Sequence, residues 1–361
     1  MSRGRIGVDA TSWENRRGFG RFARNVLTRL VELDRETTYV FVGEGSFPRG
    51  VEARRVRSAA PSAGATRPLR ELVSLARAGS DRSLGAFLFP SVYSWFPVVG
   101  PRVVLGVHDT TALDHAGLTL PGRLDRLAWA LKHRVALRQA ARVFTVSESA
   151  RAELAGRLGL APDRVAVVPE APDPVFRPRA GGAGDYLLYA AGLSPHKNVE
   201  TLLAAYAGLA DAPRLVLVGG DDPYLSSRAS VERRIAELGL GGRVELAGYV
   251  EDERLAELYS GALAVVCPSL AEGFGLPPVE AAACGAAVVL SDIPAHRESL
   301  GDDALYFPPR DAEALRAQLE AVLGDGDLRR RLGERARARV SRLSWDAGAE
   351  VLRSLLAEVA R

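Results

Sequence analysis

The sequence predicts an α/β protein of two Rossmann-like domains, each with a parallel sheet, facing one another across a cleft. Three observations lead there. Short apolar strands alternate with helices along the chain, a pattern that calls for parallel sheets covered on both faces. The pattern is interrupted by a stretch at 169–184 that holds Pro169, Pro172, Pro174, Pro178, Gly181, Gly182 and Gly184. That composition has no helical or strand period and reads as an interdomain linker. A chain of 361 residues, 47% apolar and 25% charged, has the size and balance of a soluble two-domain protein. The domains are placed at 1–178 and 179–343, with a last helix at 344–361.

Residues 4–9 form the first buried strand. A polar loop follows through Gly18, Phe19 and Gly20. A helix then covers 21–33, with Phe22, Val26, Leu27, Leu30 and Val31 on one face. Residues 38–42 make a second strand, and 48–66, rich in Arg, Ala, Pro and Ser, read as an irregular surface loop. Strands recur at 87–89, 103–107 and 143–146, with a basic helix at 124–140. Ser147 caps the next helix, and a strand at 165–168 closes the first half. The second half repeats the scheme, with strands at 186–190, 215–218, 244–246, 264–266 and 287–290. Between them lie helices at 199–209, 225–238 and 253–259, and one that opens with Pro277 and Pro278. The tail from 311 is helical, broken near Gly326 and again near Ser344.

Composition excludes several functions. No apolar run approaches the roughly 20 residues of a membrane span. The chain starts on a strand without a secretory signal, so a cytoplasmic location is expected. Cys267 and Cys284 are the only cysteines and belong to no metal-ligand spacing; buried reduced thiols are expected. Asp221 and Asp222 read as a solvated turn rather than a metal pair, so no metal site is predicted. The net charge of +3 hides an asymmetry. Residues 1–178 carry 27 basic against 17 acidic side chains, and the remainder 20 against 27. A basic first half fits an anionic or lipid-linked acceptor, or peripheral contact with a membrane through the 124–140 helix. No nucleic-acid motif accompanies the surplus.

The richest segment runs from Glu272 through Gly273, Phe274, Gly275, Leu276, Pro277, Pro278 and Val279 to Glu280. Its glycines let backbone amides approach a ligand. The two prolines suit a first helical turn, and the amides of that turn favour an anion such as a diphosphate. The carboxylates accept from hydroxyls. Together these groups fit a nucleotide-sugar. Lys197, one of two lysines in the chain, follows a strand end at a strand-to-helix turn, and a compact ammonium there suits a phosphate. Gly18 and Gly20 open a helix after the first strand, and His108 follows a strand at its carboxyl end.

These residues carry a resemblance. Pro268, Ser269, Leu270, Glu272, the run Gly273–Leu276, Pro278, Glu280 and Ala281 resemble the double-glutamate signature of GT-B retaining glycosyltransferases of family 4 (glycosyltransferase group 1). The similarity extends from Arg5 to Trp345 and includes His296, Arg297 and Glu298. It implies a GT-B fold whose last helix crosses back to an acceptor-side N-terminal domain. It also implies a retaining, metal-independent hexosyltransferase that takes a nucleotide-diphosphate sugar as co-substrate and a hydroxyl as acceptor. Glu272, Lys197 and His108 would then be catalytic. Gly18, Gly20, His196, Tyr249, Val250, Gly273, Phe274, Gly275, Leu276 and Glu280 would bind the donor. Leu193 and His196 stand where many relatives carry arginine. A GT-B nucleotide-sugar epimerase is the alternative enzyme, and the missing cation at Leu193 keeps a nucleotide-sugar-binding protein without turnover as the non-enzyme alternative.

Overall fold

The computed structural model describes residues 4–15, 18–58, 67–111, 122–180, 184–220 and 228–361. Asp221 and Asp222 lie outside them. Two compact units emerge. One holds the described residues up to Glu170 together with Ser344–Arg361; the other holds those of Ala171–Leu343.

The first unit contains β1 (Arg5–Asp9), α1 (Gly18–Leu33), β2 (Thr38–Val42), β3 (Glu52–Arg54), α2 (Leu69–Gly79), β4 (Ala86–Phe89), β5 (Arg102–Gly106), α3 (Arg123–Gln139), β6 (Ala140–Thr145), α4 (Glu148–Leu158) and β7 (Val165–Val167). Its seven strands lie in the order β3-β2-β1-β4-β5-β6-β7, and every pair is parallel. Strand β4 is apolar and buried throughout, and β2 is buried beyond its first residue, because both faces of the sheet are covered. Phe87, Phe89, Phe96, Val103 and Leu105 fill one core beside the sheet.

The second unit contains β8 (Tyr186–Ala190), α5 (Val199–Ala207), β9 (Arg214–Val218), α6 (Arg228–Glu237), β10 (Val244–Gly248), α7 (Asp252–Gly261), β11 (Ala264–Cys267), α8 (Leu276–Ala283), β12 (Val288–Ser291), α9 (Pro294–Leu300), β13 (Leu305–Phe307), α10 (Ala312–Gly324) and α11 (Gly326–Val340). Its six strands run β10-β9-β8-β11-β12-β13, again all parallel. Leu187, Tyr189, Leu202, Tyr206, Leu217, Val266 and Phe307 are buried together on one side. Both cysteines are free and buried, and burial pushes both thiols up. No helix among the described residues is long and apolar enough to cross a membrane.

The last helix, α12 (Trp345–Val359), belongs to the first unit and lies against α1. Ser344 caps it by accepting from Asp346 N at 3.1 Å, and Trp345 meets Phe22 edge-on at 6.0 Å. Arg29 of α1 donates to Asp346 at 2.5 Å.

Local readings differ from the structure in three places. Glu52–Arg54, expected within an irregular loop, is an edge strand paired with β2. A Glu-Ala-Arg segment has no apolar alternation to announce it. Backbone pairing and the two hydrogen bonds from Arg5 to Glu52, at 2.8 and 2.7 Å, hold it instead. Helix α2 was not anticipated, since it buries only Leu75 and Gly79. Gly18 and Gly20 are not loop residues but form the first turn of α1. Gly20 is required there by proximity: a Cβ would sit 2.0 Å from the Asn15 carbonyl oxygen. Gly20→Ala is therefore expected to destabilise the protein by about 1–3 kcal/mol, and a denaturation midpoint equal to wild type would refute this account of the turn.

Candidate functional site

In the second unit the strand order reverses at β8, whose neighbours are β9 and β11. An open parallel sheet takes its ligands outside the carboxyl ends of the strands at such a switch point. The segments leaving β8 and β11 start there, side by side. Two hydrogen bonds join them. Leu270 N donates to the His196 carbonyl at 2.8 Å, and Asn198 Nδ2 to the Pro268 carbonyl at 3.0 Å. Asn198 adopts a left-handed φ of 56°, which asparagine tolerates better than most residues, and Thr201 Oγ1 donates to its side-chain oxygen at 2.9 Å.

That scaffold brings Lys197 and Glu272 together. Lys197 Nζ lies 2.7 Å from Glu272 Oε1, and Ser269 Oγ donates to the same oxygen at 2.7 Å. The side chains remain 18% and 12% exposed, so a ligand can reach both. Burial alone would push the Glu272 carboxyl up. The neighbouring Lys197 and His296 and the hydrogen bonds from Lys197 and Ser269 outweigh it, holding the group at about 2. Glu272 is therefore a carboxylate throughout the neutral range.

Helix α8 begins beside this pair. Gly275, its N-cap, has φ 92°. Pro277 and Pro278 occupy the first turn, where proline costs no hydrogen bond, and no side chain caps the helix. A Cβ on Gly275 would come within 3.2 Å of His296 Cδ2 and 3.3 Å of Pro278 Cγ, so side chain and φ both favour glycine. Phe274 and Leu276 are buried, and Glu280 is buried inside α8.

His296 of α9 closes the other side. It is fully buried, with Nδ1 2.9 Å from the Ser291 carbonyl. Ser291 Oγ in turn donates to the Ser269 carbonyl, which ties the end of β12 to the Glu272 loop. Of the predicted donor residues, Tyr249 is 45% exposed and its hydroxyl meets Glu251 at 3.3 Å. His196 is half-buried. Leu193 lies in the apolar core, where an arginine could not reside uncharged. A cavity of about 670 Å³ lined by Val250, Arg179, Arg214, Glu245, Arg254 and Glu257 contains neither Lys197 nor Glu272.

Gly18, Gly20 and His108 belong to the other unit. His108 is buried and meets Phe22 edge-on at 4.6 Å. Its Nε2 is 2.8 Å from the Pro90 carbonyl, so Nε2 carries a proton, and burial lowers the ring's affinity for a second one. Asp9, at the carboxyl end of β1, is buried with Thr11 donating to it from N and Oγ1 at 3.0 and 2.8 Å. Arg67 reaches Thr11 Oγ1 and the Ser94 carbonyl at 2.7 and 2.6 Å. Sequence reasoning did not single out Asp9, Arg67, Asn198, Ser269 or His296 as site residues; the structure places Asn198, Ser269 and His296 around the Lys197–Glu272 pair. Ser269 stands inside the signature quoted above, Asn198 directly follows Lys197, and His296 follows a strand end. Asp9 and Arg67 carried no local signal.

Residues 177–339 match the family model described as glycosyl transferases group 1, and residues 16–175 the one described as glycosyltransferase family 4. The chain is 32% identical over 221 residues to the O-antigen chain mannosyltransferase B of Escherichia coli, a match covering 56% of this chain and 57% of that one. It is 35% identical over 225 residues to the MMP alpha-(1->4)-mannosyltransferase of Mycolicibacterium hassiacum, covering 60% and 54%. The chain thus spans about half the length of these curated relatives. Among solved structures it resembles sucrose-phosphate synthase from Thermosynechococcus elongatus, with TM-score 0.78, 22% identity and 99% of both chains covered. It also resembles HepE from Anabaena in complex with UDP and glucose, with TM-score 0.75, 18% identity, and 98% and 99% covered. These structural likenesses show the GT-B fold.

Removing the charge of Glu272 leaves Lys197 partly buried beside a neutral group. Glu272→Gln is expected to lower stability at pH 7 by about 1–3 kcal/mol. Because the folded carboxyl titrates at about 2, below its unfolded value of about 4.3, the stabilisation is complete above that unfolded value. It disappears as pH falls through the folded one. Urea titrations at pH 7, 4 and 3 should show the gap between variant and wild type closing; a constant gap would contradict the ion-pair account.

Proposed function

This chain belongs to the group 1 glycosyl transferases, and on that premise we propose that it moves a hexosyl group from a nucleotide-diphosphate sugar to a hydroxyl acceptor, retaining the anomeric configuration. The observation that carries the reading is the Lys197–Glu272 pair at the switch point, directly beside the start of α8. A cation and helix-terminal amides suit a diphosphate, and carboxylates suit hydroxyls. The two relatives named above are mannosyltransferases, which makes GDP-mannose the first donor to assay.

In this reading Glu272 holds the transferred sugar and Glu280 the ribose diol. The bond from the anomeric carbon to the diphosphate breaks as the sugar gains oxocarbenium character. Lys197 and the amides of the 273–276 loop stabilise the negative charge that grows on the leaving oxygen. The acceptor oxygen bonds to the same face, and its proton passes to the leaving phosphate. Charge stabilisation is assigned to the lysine and the amides rather than to a divalent ion, so chelation with EDTA should leave turnover intact. The acceptor is assigned to the first unit. There the exposed Leu124, Leu127 and Leu131 share α3 with Arg123 and Arg134, a combination that supports an anionic or lipid-linked acceptor.

Glu272→Ala should cut kcat by about 10²–10³, whereas Glu280→Ala should act mainly on donor KM. NMR of the product should show the donor's anomeric configuration. Full turnover in Glu272→Ala, or an inverted product, would sink the mechanism. Anionic vesicles should sediment the protein and release it on Leu127→Asp; no sedimentation of wild type would remove the lipid-surface reading.

A further inference from the structure

His296 has a ring nitrogen with no hydrogen-bond partner. Nδ1 sits 2.9 Å from the Ser291 carbonyl, which can only accept. Nδ1 therefore carries the proton and Nε2 exposes a lone pair. The ring is fully buried, and Nε2 is an unpartnered buried atom. Its Nε2–Cδ2 edge faces Gly275, the N-cap of α8; a Cβ placed there would lie 3.2 Å from Cδ2 and 3.6 Å from Nε2. Glu272, across the same loop, is close enough for its charge to act on the ring. A buried acceptor left unmade is costly in a folded protein, and here it is aimed at the start of a helix that no side chain caps.

The chemistry of Nε2 selects what can meet it. A phosphate oxygen brings a lone pair and negative charge but no proton. A sugar hydroxyl brings a proton. We propose that His296 is a ligand-contacting residue of the donor site, with Nε2 accepting a hydrogen bond from a hydroxyl of the transferred sugar beside Glu272. The proposal rests on the nucleotide-sugar reading above and deepens it. It divides the loop between two tasks: Glu272 and His296 take hydroxyls, while Lys197 and the amides are left for phosphate.

The proton state sets a distinctive signature. Burial lowers the affinity of the ring for a second proton; Glu272 and Asp292 raise it, and Lys197 lowers it. The neutral form therefore prevails at pH 7, and acidification turns Nε2 from acceptor into donor. Affinity for a sugar-bearing nucleotide should fall with pH relative to the same nucleotide without its sugar.

The test is calorimetry on the full chain with two probe pairs, GDP against GDP-mannose and UDP against UDP-glucose, between pH 5 and 8. Wild type, His296→Gln and His296→Leu are compared, with thermal midpoints to verify folding. His296→Leu should lose about tenfold in affinity for the sugar-bearing nucleotide, which is about 1.4 kcal/mol, and less than twofold for the diphosphate alone. His296→Gln, which still presents an acceptor oxygen, should stay within threefold of wild type and lose the pH dependence. If His296→Leu does not fold, the pH series of wild type and His296→Gln decides alone. Equal losses for diphosphate and sugar nucleotide, or diphosphate binding that strengthens on acidification, would overturn the assignment in favour of a phosphate contact. Unchanged affinity in the variants, with wild type binding, would overturn the assignment alone. Wild type that binds none of the four probes would overturn the donor-site reading and the assignment together.

Discussion

The Lys197–Glu272 pair is the interaction around which the second unit's functional end is built. The two residues are 75 positions apart, and neither belongs to a strand or an α-helix. They meet because β8 and β11 are adjacent while their onward connections diverge. A partly buried ion pair contributes little by itself once desolvation is counted. Its consequence is positional. It fixes where the 268–275 loop stands relative to the 191–198 turn, and hence where α8 begins. Asn198 and Ser291 then secure that arrangement with neutral hydrogen bonds to the backbone carbonyls of Pro268 and Ser269. The charged pair keeps partial exposure to solvent, and the neutral bonds hold the framework behind it.

The first unit uses the same topological device with different chemistry. Its strand order also reverses, at β1, and polar groups gather at the carboxyl ends of β1, β4 and β5. There the acidic group is Asp9, buried and linked through Thr11 to Arg67. The imidazole of His108 spends one nitrogen on a backbone carbonyl, as His296 does in the second unit. In each unit, then, a histidine near a strand end is fixed in one tautomer by main chain rather than by another side chain. A carbonyl is a durable partner for this purpose, since it neither titrates nor rotates away.

The two-sheet architecture was legible in the alternation of apolar runs with helices, because burial on both faces leaves that pattern in every inner strand. Glu272, Lys197 and the 273–276 loop were legible for local reasons: glycine, proline and a rare lysine at sharply defined turns. What escaped notice depended on distant partners. The three residues of β3 have no apolar signature, since an edge strand needs only backbone pairing. Asn198 has a left-handed backbone and an amide that joins two loops, a role set by the distant Pro268 carbonyl. His296 could be seen as part of a resemblance, but its tautomer follows from the Ser291 carbonyl and the placing of its ring edge from Gly275, 21 positions earlier. The helix at α1 was read three residues short because glycines usually end helices. Here Gly20 is needed for close approach to Asn15.

Both lysines are committed inward: Lys197 to Glu272, and Lys132 to the Tyr93 carbonyl at 2.7 Å with its ammonium over the Trp129 ring. Of 47 basic side chains only these two are lysines, and the rest are arginines. The outward cationic charge therefore resides on guanidinium groups, which keep their proton far beyond any cellular pH. The exterior of this protein behaves as a surface of permanent charge. Alkaline media do not discharge it, reagents directed at amines find little to modify, and any attraction it exerts on anions is tuned by ionic strength rather than by proton concentration.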